Sequence, residues 1–161
     1  MAMIPTAEVD AAITEIQRVF KLGFKGITVP PKPEYGPTGV DHRNYNQAEF
    51  EPLWCAIEDV ELPVTIHVST GRDPRASSDP GGAVINYAIH CCAASQETVA
   101  NLCAPGGLEQ HPKMRFATIE AGIGWVPWLL EAIDDLTEEQ REKILGGNFA
   151  RFYGIDPTTT R

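Results

Sequence analysis

Helix-patterned stretches that alternate with short β-branched runs constrain this chain more than any other feature. The clearest run is Val64-Thr65-Ile66-His67-Val68, entered through Pro63 and preceded by a stretch that sets Phe50, Leu53, Trp54 and Ile57 on one helical face. A second run, Gly26-Ile27-Thr28-Val29, is closed by Pro30-Pro31. Before it, Val9, Ile13, Ile16 and Phe20 recur at offsets of four, three and four, between a start signal at Pro5-Thr6 and a stop at Gly23. The third run, Phe116-Ala117-Thr118-Ile119-Glu120, follows a longer helix over about residues 83–102, with Val84, Tyr87, Ala88, Cys91, Val99 and Leu102 as inward candidates. Helices over 125–133 and from Thr137 to Leu145 come next, with Gly146-Gly147 as a helix stop and Phe149, Phe152 and Tyr153 closing the core. Asn46 with Glu49, and Thr137 with Gln140, have the spacing of capping boxes. Such alternation predicts parallel strands joined by right-handed helical crossovers, an α/β fold with about three strands.

The length of 161 residues suits one domain over 1–161. The formal net charge of -9 argues against non-specific nucleic-acid binding and against an anionic membrane surface, both of which reward a basic face. No window approaches the ~20 apolar residues of a membrane helix, and the first residues carry no basic segment ahead of an apolar run. Cys55, Cys91, Cys92 and Cys103 contain no Cys-x-x-Cys spacing, so buried or half-buried free thiols in a reducing cytoplasm are expected.

Because strand side chains alternate, Thr65 and His67 share one face, and by the same parity Thr118 shares a face with Glu120. A polar residue at the C-terminal end of two such strands suggests a face that opens onto a site. His67 also reads as a strand histidine bonded to a neighbouring carbonyl, and Glu120 as a carboxylate capping the turn ahead of Trp125. His90-Cys91-Cys92 is no metal cluster, since adjacent helical residues point about 100° apart. His42 and His111, in loop-like polar contexts, are expected at the surface. Trp125, Trp128 and Leu129 read as core.

The ordered segments Gly26-Ile27-Thr28-Val29-Pro30, Phe50-Glu51-Pro52-Leu53-Trp54 and Leu62-Pro63-Val64-Thr65-Ile66-His67-Val68 carry a resemblance. It continues through Glu120-Ala121-Gly122-Ile123-Gly124-Trp125-Val126-Pro127-Trp128 and through Lys143-Ile144-Leu145-Gly146-Gly147-Asn148-Phe149-Ala150-Arg151-Phe152-Tyr153-Gly154. In this order they resemble the amidohydrolase-related family that includes carboxymuconate-semialdehyde decarboxylase and resorcylate decarboxylase. The resemblance implies a (β/α)₈ barrel with one or two divalent metals at the C-terminal ends of its strands. It implies that His67 is a metal ligand at the end of the fifth strand and that Glu120, in a catalytic role, ends the sixth. Arg72 and Arg75, in the loop after His67, would hold a substrate carboxylate through forked hydrogen bonds, or else are solvated surface residues.

The departures from the family pattern are specific. No His-x-His or Glu-x-His pair occurs, and only 22 residues separate Glu120 from Lys143, where two β/α units need roughly 60. The expectation is therefore a partial TIM (β/α)₈ barrel of three parallel strands with outer helices and C-terminal helices. A catalytic zinc takes three protein ligands, and His67 with Glu120 supply two, so zinc is expected to bind weakly or not at all in this chain alone. Two functions stand: a metal-dependent hydrolase or non-oxidative decarboxylase of small cyclic or aromatic carboxylic acids, or an inactive truncated remnant or assembly subunit. Free edges at residues 26–29 and 115–120 predict either a homo-oligomer or a poorly soluble, partly open monomer.

Overall fold

The computed structural model describes residues 1–34, 43–67, 77–132 and 137–142. Its strands, β1 (Ala2–Met3), β2 (Ile27–Val29), β3 (Val64–His67) and β4 (Phe116–Ile119), form one parallel sheet in the order β1-β2-β3-β4. The three expected strands are present, parallel and in sequence order, and β1 is an addition. Two residues without a β-branched run carry no readable strand signal. The chain finds its place through Ala2 N–H to Gly26 O at 3.0 Å and Ile4 N–H to Thr28 O at 2.9 Å. The expected free edge at β2 is therefore wrong, because β1 covers it. Gly26 allows this approach: a Cβ there would meet Met1 Sδ at 2.5 Å and Pro63 O at 3.1 Å.

Helices α1 (Val9–Lys21) and α2 (Glu51–Val60) pack on each other and cover one sheet face. A Schellman closure ends α1: Phe24 N–H donates to Val19 O at 3.2 Å and Gly23 N–H to Phe20 O at 2.9 Å, with Gly23 at φ 79°. The buried stripe of α1 is Ala12, Ile16 and Val19, flanked by half-buried Val9 and Ile13, whereas Phe20 is 49% exposed. Val19 occupies the inward direction, and its neighbour Phe20 lies about 100° round the helix. The capping box at Asn46 does not form. Glu49 is held instead by the Arg43 guanidinium at 2.8 and 3.0 Å, and α2 opens through a 3₁₀ turn, Ala48–Phe50, with Pro52 in its first turn. Tyr45 packs edge-on against Phe50 and Trp54, and its hydroxyl bonds Thr6 at 2.7 Å and Pro30 O at 2.8 Å.

The third helical segment is interrupted. Short α3 (Gly82–Ile85) passes through a π-helical turn, Asn86–Cys91, into α4 (Cys92–Cys103). The wider turn rotates the faces, so Val84 and Tyr87, expected inside, are 71% and 63% exposed. The inward residues are Ala94, Ser95, Thr98 and Leu102. Thr98 Oγ1 donates to Pro31 O at 2.8 Å, and buried Lys32 meets Glu97 at 2.6 Å, fixing the backbone after β2 against α4. Helix α5 (Gly107–Gln110) precedes β4; α6 (Val126–Ala132) and α7 (Glu138–Glu142) follow it. Leu129 is buried as expected, but Trp128 is 62% exposed. No helix among the described residues is long and apolar enough to cross a membrane. Gly146-Gly147, Phe149, Phe152 and Tyr153 lie outside the described residues.

Register decides the faces. Ile27, Val64 and Phe116 align, as do Val29, Ile66 and Thr118, and these point toward α1 and α2. Thr28, Thr65 and Ala117 align on the other face, followed by His67 with Ile119. Thr118 therefore does not share the face of Thr65: Thr65 is level with Ala117 and Thr118 with Ile66, and a one-residue offset in register reverses the face of a side chain.

Ile16→Ala is expected to lower stability by about 2–5 kcal/mol, as for other buried large-to-small changes, and Phe20→Ala by less than about 1 kcal/mol. Chemical denaturation of the two variants checks this. Equal losses would contradict the orientation of α1.

Candidate functional site at the C-terminal ends of the strands

His67 closes β3, and Glu120 follows β4 directly. Strict alternation from Thr118 would turn Glu120 toward the outer helices. Glu120 instead takes a left-handed backbone, φ 58°, which breaks the alternation. Its Oε2 comes to 3.8 Å from His67 Nε2, with the two side chains 58% and 41% exposed. The separation is longer than a hydrogen bond and short enough for a bridging water or a shared ion. Behind them on the same face, the Thr28 and Thr65 hydroxyls bond at 2.8 Å, and Thr65 Oγ1 reaches Ile27 O at 3.3 Å, so this layer is satisfied internally. Both His67 and Glu120 are open to solvent. Arg72, Arg75 and His42 lie outside the described residues.

Elsewhere the structure departs from the sequence reading. Cys55, Cys92 and Cys103 are free, but Cys55 is exposed. Burial, and then the charge of Glu109, push the Cys103 thiol up to about 11. His111, expected at the surface, is 3% exposed; its Nδ1 bonds Glu58 Oε2 at 3.2 Å and its Nε2 lies 3.0 Å from Glu51 Oε1. Glu51, Cys55 and His111 bring three metal-ligand atoms within 4.8 Å of one another. The i, i+4 spacing of Glu51 and Cys55 is visible in the sequence, but the arrival of His111 is not. A cavity of about 450 Å³ between α2, α4 and α5, lined by Glu51, Trp54, Leu102 and Gln110, includes neither His67 nor Glu120.

A parallel sheet flanked by helices, with a polar pair past its C-terminal strand ends, is the architecture of a partial (β/α)₈ barrel. The amidohydrolase family model matches residues 1–136, and the chain belongs to that family. Among solved structures it is similar to an amidohydrolase from Mycobacterium avium subsp. paratuberculosis K-10, at 22% identity and TM-score 0.65, covering 96% of this chain and 38% of the other. It is also similar to 2,6-dihydroxybenzoate decarboxylase from Rhizobium, at 24% identity and TM-score 0.60, covering 87% and 45%. A 2,6-dihydroxybenzoate decarboxylase complexed with 2,6-dihydroxybenzoate matches at 25% identity and TM-score 0.58, with the same coverage. The chain thus spans 38% to 45% of the length of these structures. Comparison with curated proteins gave no match.

The family is typically metal-dependent. At the strand ends the described residues bring together two donors, His67 Nε2 and Glu120 Oε2, where a catalytic zinc takes three from protein. By themselves they do not fit that ion.

Because a left-handed backbone costs a non-glycine residue about 1–2 kcal/mol, Glu120→Gly is expected to raise stability by about 1 kcal/mol, while Glu120→Ala gives no such gain. Thermal unfolding measures both, and a clear loss in Glu120→Gly would show that the carboxylate contributes more than its backbone costs. A second expectation concerns Cys103: its raised thiol stays protonated at pH 8, so alkylation followed by peptide mass mapping should find it far slower than a free thiol, accelerating only as pH nears 11. Rapid labelling of the folded protein at pH 8 would contradict its protected setting.

Proposed function

We propose that this chain contributes the histidine–carboxylate portion of a barrel site that acts, as a metal-dependent hydrolase or non-oxidative decarboxylase, on small cyclic or aromatic carboxylic acids. The observation that carries the reading is the approach of His67 and Glu120 to 3.8 Å beyond adjacent strands. Decarboxylation is the favoured branch, since the similar structures include two of 2,6-dihydroxybenzoate decarboxylase, one with its carboxylate bound. That reaction replaces a ring carbon–carboxylate bond by carbon–hydrogen, releasing carbon dioxide, so the site must deliver one proton to carbon. The Glu120 carboxyl group, partnered by His67, is the proton carrier in this reading. Arg72 and Arg75 hold the substrate carboxylate in forked hydrogen bonds. The thiols at Cys55, Cys92 and Cys103 are free, in keeping with a reducing, cytoplasmic setting.

A second reading, packing without chemistry in a larger assembly, draws on three observations. The described residues gather only two donors at the strand ends, and the large apolar side chains of Val84, Tyr87, Ile89 and Ile123 are each exposed. Among the described residues β4 pairs only with β3, which leaves its other side open to a second copy.

The purified chain, incubated with 2,6-dihydroxybenzoate and a divalent metal at concentrations where copies associate, should form the decarboxylated phenol as detected by chromatography, the missing ligands coming from a second copy. Glu120→Gln and His67→Asn should each lower the rate by about 10²–10⁴-fold. Substrate binding without turnover across a series of cyclic carboxylates would replace this reading by the second one. Product formed equally by wild type and both variants would remove His67 and Glu120 from the chemistry.

A further inference from the structure

Glu51, Cys55 and Glu58 fall at offsets of four and three along α2, a polar stripe beside the buried Leu53, Trp54 and Ile57. Facing it is His111, the residue after α5. Two bonds fix its ring. Nδ1 bonds Glu58 Oε2 at 3.2 Å, and the other Glu58 oxygen accepts the Lys113 backbone N–H at 2.8 Å. The Lys113 bond is the largest cause holding the Glu58 carboxyl below its ordinary range, so this anchor stays charged. On the opposite edge, Nε2 lies 3.0 Å from Glu51 Oε1, yet the ring geometry misses that oxygen and the buried nitrogen makes no hydrogen bond. Cys55 Sγ is 3.9 Å from the same oxygen.

A neutral imidazole donating from Nδ1 presents a lone pair at Nε2. Buried and 3.0 Å from a carboxylate oxygen, that lone pair is repelled unless a proton or a metal cation lies between them. We infer that Glu51, Cys55 and His111 form a binding site for a divalent cation of the zinc class. Nitrogen, thiolate sulfur and carboxylate oxygen suit this ion, and Glu58 holds the imidazole as outer carboxylates hold zinc-binding histidines. Tetrahedral zinc, with bonds of about 2.0–2.3 Å, separates its ligand atoms by roughly 3.3–3.7 Å. Glu51 therefore withdraws by a few tenths of an ångström and Cys55 swings inward, movements that exposed side chains allow. A fourth position is left to water. Local desolvation, then the charges of Glu51, Asp59 and Glu58, keep the free Cys55 thiol above its ordinary range, so metal binding releases its proton. The site joins α2 to the segment between α5 and β4 and includes neither His67 nor Glu120.

Cobalt(II), a spectroscopic substitute for zinc, tests the site on the full chain after chelator treatment, with circular dichroism to verify folding. One equivalent should bind with a thiolate-to-cobalt charge-transfer absorption, be displaced by zinc, and slow Cys55 alkylation at least tenfold. Cys55→Ser, at an exposed position, should abolish the absorption and weaken zinc binding at least tenfold, whereas His67→Ala should change neither. Cobalt uptake without the thiolate absorption, undiminished zinc affinity in Cys55→Ser, or loss of the site in His67→Ala would each overturn the inference. No uptake would overturn it as well, and nitrogen NMR showing both His111 ring nitrogens protonated would then identify a charged imidazole bridging Glu51 and Glu58.

Discussion

The parallel pairing of β3 with β2 on one side and β4 on the other governs most of what this molecule presents. It aligns Ile27, Val64 and Phe116, and then Val29 and Ile66, into one apolar surface on which α1 and α2 rest. It equally aligns Thr28 with Thr65 on the reverse face, where two hydroxyls satisfy one another. Apolar burial on one face and hydroxyl pairing on the other leave a single register acceptable, because a shift by one residue would exchange them.

The candidate site is built where that regularity stops. Glu120 leaves the sheet in a backbone conformation that disfavours side chains, and the reward is a carboxylate beside His67 rather than one facing the outer helices. Strain confined to one residue at the end of a strand persists only where the surrounding structure holds it, and here it sets the position of the Glu120 carboxylate. Lys32, buried against Glu97, and Thr98, bonded to Pro31, keep the neighbouring backbone after β2 in place.

Helix α2 serves two masters. Leu53, Trp54 and Ile57 fill the core, while Glu51, Cys55 and Glu58 meet the segment that leads into β4. The same segment carries His111 inward, so a residue from a polar loop context ends up buried.

Strand–helix alternation, the parallel order of β2, β3 and β4, the core of α2 and the closure of α1 at Gly23 were all legible in the sequence. Each rests on local periodicity or on the conformational freedom of a single residue, and family resemblance pointed to His67 and Glu120 as neighbours. Strand β1, the exposed Phe20, the π-helical turn that exposes Val84 and Tyr87, and the face of Thr118 were not legible. Two residues form a strand only when another strand offers free groups, and a helix faces whichever partner the fold supplies. Likewise, Glu51 and Cys55 are one helical turn apart in any reading of the sequence, but only tertiary folding could bring His111 to them, because a contact across 53 residues to Glu58 is set by how the chain packs and by no local preference.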